Sequence, residues 1–341
     1  MNKNLDLFII GNEKISCNNK DIYYSANVDF KSIIEGLSRY FQVHLLARYS
    51  AKQEVFNINY NKITIVKNIF SYALNIISSL KNIKNNKYLI ISITPYTFVA
   101  YLILFFFTNQ IYVYLRSNGF KEYERILGKK WVFLYSFMYF IFLKKAKIIS
   151  CEESLIKKNS FFLVKPSELN DHWFKKRTNF ASNKKVKILY VGRIRVEKGI
   201  LNFINLFTQL DKKFHLTIIG DKYNKKFNIK NISYLNFFSN INDLISQYDK
   251  SHILILPSYT ESHPKVVYEA LARLRPVIIF EDIKHIIKNT NGIFVCKRNV
   301  KDFLKKINYV MKNYKLIQKK MLKNKLPKKN IFIEQLYNIL R

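Results

Sequence analysis

The chain is poor in glycine, proline and cysteine, with eight, six and three of them in 341 residues. The cysteines, Cys17, Cys151 and Cys296, are odd in number, far apart and form no C-x-x-C. That argues against a disulfide framework or a zinc site and fits a reducing cytosol. No apolar run reaches the ~18–20 residues that span a bilayer. The longest are Tyr96–Phe107 and Trp131–Leu143, and Leu7–Ile10 is too short for the core of a signal peptide. Neither G-x-x-x-x-G-K-[ST] nor G-x-G-x-x-G occurs, so kinase, ATPase and dehydrogenase readings lack their signatures. D-x-D is also absent, although a Mg²⁺–diphosphate chelate usually needs clustered carboxylates.

Acidic residues are scarce as well. Asp and Glu total 23 against 58 Lys and Arg, for a formal charge of +35. Such a charge suits an anionic partner: a phosphorylated substrate, an anionic membrane surface or nucleic acid. The abundance of Lys, Asn, Ile, Phe and Tyr is also what an AT-rich genome dictates. No aromatic-interleaved basic motif of an RNA-binding module is visible, which argues against nucleic acid. Trp131–Leu143 is flanked by Lys129, Lys130, Lys144, Lys145 and Lys147, a pattern shared by buried helices and by helices lying on an anionic membrane.

What is present in quantity is apolar sequence, 49% of the chain, enough for two cored domains. Strand-like runs at Leu5–Ile10, Val43–Ala47, Lys62–Val66, Tyr88–Ile93, Ile111–Leu115 and Lys147–Ser150 alternate with helix-like stretches. Continuous apolar strands in such alternation predict a parallel sheet covered on both faces. The polar stretch 166–183 reads as a linker, and a second alternation starts at Val186–Val191. The predicted fold class is α/β, with two Rossmann-like domains facing each other across a cleft. Residues 1–165 form the N-terminal Rossmann-like domain, 184–325 the C-terminal one, and 326–341 a last helix.

In so biased a chain the surviving glycines mark positions where backbone geometry requires them. Gly192, Gly199 and Gly220 fall at predicted strand ends or helix starts, where open parallel sheets bind ligands. Arg193 and Lys198 lie in the same segment and can neutralise a diphosphate. Downstream, ILILPSYTESHPKVVYEALARLRPV places Glu261 on a loop after a strand and Glu269 on the next helix, whose start lies near Pro264. Carboxylates suit hydroxyls, and helix-start amides suit phosphate. His44, His172, His215, His252 and His285 read as structural or surface groups, with none at metal spacing.

Taken in order, Gly192-Arg193, Lys198-Gly199, Ile219-Gly220-Asp221, Leu256-Pro257-Ser258, Glu261, Pro264, Glu269-Ala270 and Pro276-Val277 resemble the donor domain of retaining GT-B glycosyltransferases of family 4. The resemblance spans residues 186–296, and the first half is similar only in its strand–helix rhythm. It implies that residues 1–165 bind the acceptor and 184–325 the donor, and that the helix 326–341 packs back on the first domain. It also implies that Arg193 and Lys198 carry the diphosphate, Glu261 the transferred sugar and Glu269 the ribose. Phe237 and Phe238 would pack against the base, with Gly192, Gly220, Ser262, Pro264, Lys265 and Val266 completing the donor site. Ser262 and His263 stand where the family has Gly and an aromatic, so His263 is either a sugar contact or a packing group. Leu274 replaces a common Gly. On the acceptor side, a glycine-rich loop after the first strand is reduced to Gly11, and a family histidine gives way to Arg116, Ser117 and Asn118.

The implied activity is retaining transfer from a nucleotide-diphosphate sugar to a hydroxyl of a cell-envelope glycan or glycolipid, such as lipopolysaccharide, capsule or a lipid-linked oligosaccharide. No cofactor or metal is expected, and the implied place is the cytoplasm, with peripheral contact to the inner face of the plasma membrane. Two rivals stay open: a nucleotide-sugar epimerase on the same fold, and a noncatalytic basic protein that binds membrane or nucleic acid.

Overall fold

A computed structural model describes residues 5–18, 20–60, 62–81, 86–152, 154, 161–177, 185–221 and 229–341. The chain divides into two compact units, residues 1–166 with 329–341, and residues 167–328.

In unit 1 the order is β1 (Asp6–Cys17), β2 (Tyr23–Ser25), α1 (Val28–Leu37), β3 (Gln42–Tyr49), β4 (Phe56–Ile58), β5 (Ile63–Val66), α2 (Ile69–Ser78) and β6 (Asn86–Ile91). Then come α3 (Pro95–Phe107), β7 (Ile111–Leu115), α4 (Gly119–Ile126), α5 (Lys129–Phe142), β8 (Lys147–Ser150) and β9 (Phe161–Leu163). The parallel strands lie in the order β5-β3-β1-β6-β7-β8-β9, and β2 and β4 add an antiparallel edge at the far end of β1. Neighbouring residues along a strand go to opposite faces. Leu7 and Ile9 enter the core beneath α1, while Ile10 enters the core beneath α2, α3 and α5.

Unit 2 holds β10 (Val186–Val191), α6 (Ile200–Phe207), β11 (Phe214–Gly220), β12 (Ile232–Asn236), α7 (Ile241–Asp249) and β13 (Ile253–Leu256). These are followed by α8 (Lys265–Ala272), β14 (Val277–Phe280), β15 (Ile293–Cys296), α9 (Val300–Lys312) and α10 (Tyr314–Met321). All six strands are parallel, in the order β12-β11-β10-β13-β14-β15. This is the 3-2-1-4-5-6 order of a doubly wound sheet, with its switch point between β10 and β13.

The last helix, α11 (Lys329–Leu340), belongs to unit 1. It buries Phe332, Ile333, Leu336 and Leu340, packs Ile333 against Gly36 of α1, and stacks Tyr337 on Tyr40 at 4.2 Å.

Two expectations need correction. The polar stretch 166–183 is not wholly linker: Leu169 and Trp173 are buried in the unit 2 core. Its lack of periodicity hid a 3-10 turn, Asp171–Phe174, that inserts the Trp; residues 178–183 lie outside the described residues. The first strand does not end at Ile10 but runs on to Cys17 past a register shift, so Gly11 lies inside β1 and not in a loop.

Leu274 explains its own oddity. It has φ +58°, the left-handed conformation usually given to glycine. It closes α8 as a Schellman cap: the Leu274 N–H donates to Leu271 O (3.1 Å) and the Arg275 N–H to Ala270 O (2.8 Å). A Leu here costs about 1–2 kcal/mol of backbone strain. Near-complete burial of its side chain offsets part of that.

Candidate functional site

The carboxyl ends of β10 and β13 supply the site. After β10 the chain passes Gly192 and the exposed Arg193, then makes a 3-10 turn at Val196–Lys198 before Gly199 starts α6. After β13 it passes Pro257 to Pro264 and enters α8. The two loops touch. Lys198 Nζ lies 2.6 Å from Glu261 Oε1, which also accepts from Ser258 Oγ at 2.7 Å. The Tyr259 N–H donates to Glu197 O at 2.9 Å. Lys198 and Glu261 are thus in contact, an ion pair sitting over the switch point.

Other groups fix the loops. Tyr190 is buried, which pushes its hydroxyl far above its ordinary pKa and keeps it protonated as the donor to Arg193 O at 2.8 Å. Asp221, just past β11, accepts from the Ile194 N–H at 2.7 Å and pairs with Arg195 at 3.4 Å. Arg298 was not legible in the sequence, because it comes from a distant loop after β15. Its guanidinium lies between the rings of Tyr259 (4.1 Å) and Phe280 (4.4 Å) and donates to Pro257 O and Ser258 O at 2.9 and 3.0 Å. His285, read as surface, has Nε2 2.7 Å from Glu261 O; a carbonyl only accepts, so Nε2 carries the proton.

Glu269 lies one turn into α8, largely buried, and its Oε2 accepts from Tyr248 OH at 2.7 Å. Burial and the neighbouring carboxylate raise the Tyr248 pKa well above its ordinary value, so the phenol remains the donor. Trp173 meets Tyr248 edge-on at 5.4 Å. His263 stacks on Tyr268 at 4.7 Å. The Lys265 ammonium pairs with Glu168 at 3.1 Å. Ser262 and Val266 lie beside them, half-buried. Phe237 and Phe238 follow β12, half-buried on the unit 2 core, and the Phe237 N–H donates to Gly220 O at 3.1 Å. The helices that leave the two loops, α6 and α8, have no side-chain N-cap, whereas α7 and α9 are capped by Asn240 and Asn299. A helix start without a side-chain acceptor can offer its first amides to an anion.

In unit 1 Gly11 lies midway along β1, opposite Ile91 at the end of β6, and Arg116 and Asn118 follow β7; the three do different work. Gly11 O accepts from Tyr72 OH at 3.2 Å. Arg116 pairs with Glu13 and donates to Ser92 Oγ at 3.3 Å. Asn118 caps α4 by accepting from the Lys121 N–H at 3.3 Å.

Gly199 is the tightest backbone point. Its φ is +63°, and a Cβ there would lie 2.2 Å from Pro257 O. Gly199→Ala is therefore expected to cost at least the ~1–2 kcal/mol of a left-handed L-residue. It also pushes the Pro257 loop, and Glu261 with it, away from Lys198. A denaturation midpoint equal to wild type would contradict this contact.

Residues 171–328 match the family model described as glycosyl transferases group 1. A curated relative from Campylobacter jejuni subsp. jejuni serotype O:2, N,N'-diacetylbacillosaminyl-diphospho-undecaprenol alpha-1,3-N-acetylgalactosaminyltransferase, is 27% identical over 63% of this chain and 54% of its own. The chain spans about half the length of the first curated relatives it matches, 46% and 54%. Among solved structures, WaaG, a glycosyltransferase involved in lipopolysaccharide biosynthesis, superposes with a TM-score of 0.69 at 12% identity over 98% of this chain and 99% of its own. Anabaena Alr3699/HepE in complex with UDP-glucose gives 0.70 at 10% identity over the same shares. Nearly all of unit 2 thus matches the glycosyl transferases group 1 model, and the chain shares the GT-B fold of these solved structures.

Proposed function

We propose that this chain is a retaining, metal-independent hexosyltransferase that moves a sugar from a nucleotide-diphosphate sugar to a hydroxyl of a cell-envelope glycan, lipid-linked in its acceptor form. The observation that carries this reading is the Lys198–Glu261 contact over the switch point, with Arg193 on one of its loops and the uncapped start of α8 after the other. Unit 2 takes the donor and unit 1 the acceptor.

On donor binding Lys198 exchanges Glu261 for the diphosphate, which frees the carboxylate for sugar hydroxyls. Glu269 takes the ribose. The anomeric C–O bond to phosphate breaks with oxocarbenium character, and Arg193, Lys198 and the α8 amides stabilise the departing charge. The acceptor oxygen bonds to the same face of the anomeric carbon while its proton passes to the leaving phosphate. The C. jejuni relative, by its name, adds N-acetylgalactosamine to a diphospho-undecaprenol-linked acceptor, and the HepE structure holds UDP-glucose; both support the substrate class. A lipid-linked acceptor places the enzyme at the cytoplasmic face of a membrane.

Ligand-observed NMR against a panel of nucleotide sugars, followed by mass spectrometry and anomeric NMR of the product, tests the proposal. One nucleotide sugar is expected to bind and to yield an α-for-α or β-for-β glycoside in the presence of EDTA. Release of nucleotide with an altered free sugar and no acceptor would identify an epimerase instead. Salt-labile binding to acidic polymers without any saturable sugar-nucleotide site would identify a basic binding protein.

A further inference from the structure

We propose that the outer face of α2, α3 and α5 in unit 1 is a docking surface that lies in the headgroup region of an anionic lipid bilayer. This deepens the membrane reading above by naming the surface, and it draws on no feature of the donor site.

Two stripes of the same design carry the argument. Around α2 run Lys67, Phe70, Leu74, Ile77 and Lys81, and along α5 run Lys130, Phe133, Phe137, Phe140 and Lys144. Both step by three, four, three and four residues, the spacing of one helix face. In each, three large apolar side chains are bracketed by lysines. A helix packed on a sheet in water turns such a stripe inward. Here the inward faces are already apolar and buried: Tyr72 and Ile76 on α2, Tyr135, Met138 and Phe142 on α5. The stripes point out, with Phe70 and Phe133 each 79% exposed.

The stripes belong to one surface. α3 lies between them and packs on α5 through Tyr101, stacked 4.1 Å from Phe142. Towards α2 it leaves an apolar groove lined by Ile77, Leu80, Leu102, Ile103, Phe106 and Phe107. Phe106 at its rim is 78% exposed. Contiguous apolar surface of this kind marks an interaction site.

Compositional drift does not explain it. The outward positions of α9 in unit 2 include Lys301, Lys305 and Lys312, all exposed. The same chain therefore supplies lysine where a helix faces water. Charge complementarity selects the occupant. Lysines at the ends of each stripe place ammonium groups at phosphate level when the aromatic stripe sits among the upper acyl carbons, and Trp131 stands beside Lys129 and Lys130 as an interfacial anchor. Among the described residues no helix is long and apolar enough to cross a membrane, so the geometry is that of helices lying in the interface.

Vesicle flotation tests this with the full chain. Wild type is expected to float with phosphatidylcholine–phosphatidylglycerol vesicles and to stay behind with phosphatidylcholine alone. The variant Phe70→Glu/Phe133→Glu/Phe137→Glu is expected to lose at least about tenfold in partitioning. Lys130→Glu/Lys144→Glu should lower binding to the anionic vesicles. Nucleotide-sugar binding, measured by NMR on each variant, should be retained, which shows that the protein is folded. The proposal is overturned if wild type floats with neither vesicle or if the triple variant floats like wild type. It is equally overturned if sedimentation shows a dimer that only the triple variant dissociates, since a second copy then covers the face. Vesicle binding without any nucleotide-sugar binding would leave the surface standing and remove the transferase reading.

Discussion

Lys198→Ala is expected to lower turnover by about a hundredfold or more, the cost of removing one preorganised donor from developing charge, ~3 kcal/mol. Lys198 is already held within 2.6 Å of Glu261 before any ligand arrives, with Glu261 anchored by Ser258 and its loop by Arg298. The ammonium is therefore fixed at the switch point, and on donor binding it exchanges one anion, Glu261, for another, the diphosphate. Each single variant also strands a partner: Lys198→Ala leaves Glu261 without its cation, and Glu261→Gln leaves Lys198 without its anion. Groups in direct contact are not additive, so the double variant should lose less than the sum of the two in kcal/mol. The KM for the nucleotide sugar should move less than kcat, because the interaction strengthens as the bond breaks. Lys198→Ala turning over within about threefold of wild type would remove Lys198 from the transition state.

The sequence made this site legible because its parts are local punctuation. Gly199 and the Pro257–Pro264 loop stand out in a chain with few glycines and prolines, and parallel strands deliver loops to the same sheet edge. Lys198 and Glu261 were both marked, but their contact was not, since spacing along the chain says nothing of a bond across 63 positions. Arg298 and Tyr248 act from other loops and helices, where an arginine among 58 basic residues or a tyrosine among 23 carries no signal. The short strands β2, β4 and β9 and the charged helix α4 fell below what periodicity detects, because a three-residue strand shows no alternation. The buried role of 167–177 escapes periodicity for a related reason: it has no repeating face, and Leu169 and Trp173 carry it into the unit 2 core.

That anchoring sets up the other large effect. Arg273→Ala is expected to destabilise unit 2 by about 3–5 kcal/mol, the cost of breaking a buried ion pair from one side. Arg273 is 1% exposed, and all five of its N–H donors are used. Two go to Asp249 as a fork, at 2.9 and 2.7 Å, and three go to the carbonyls of Trp173, Lys175 and Lys176. Without the guanidinium those carbonyls lose their donor, and Asp249 keeps only the longer contact to Arg275 at 3.6 Å. For a unit of this size each kcal/mol is worth roughly 2–4 °C, so melting should fall by about 10 °C. Arg273→Lys keeps the charge but offers three donors from a point and no fork, so most of the loss should remain. The damage also reaches the donor site. Trp173 packs on Tyr248, and Tyr248 donates to Glu269, while Glu168 of the same segment pairs with Lys265 at the start of α8. Loosening the segment should therefore weaken nucleotide-sugar binding at temperatures where the protein is still folded. A variant that melts early but binds the donor with wild-type affinity would show that the strap supports the core alone and leaves Glu269 in place without it.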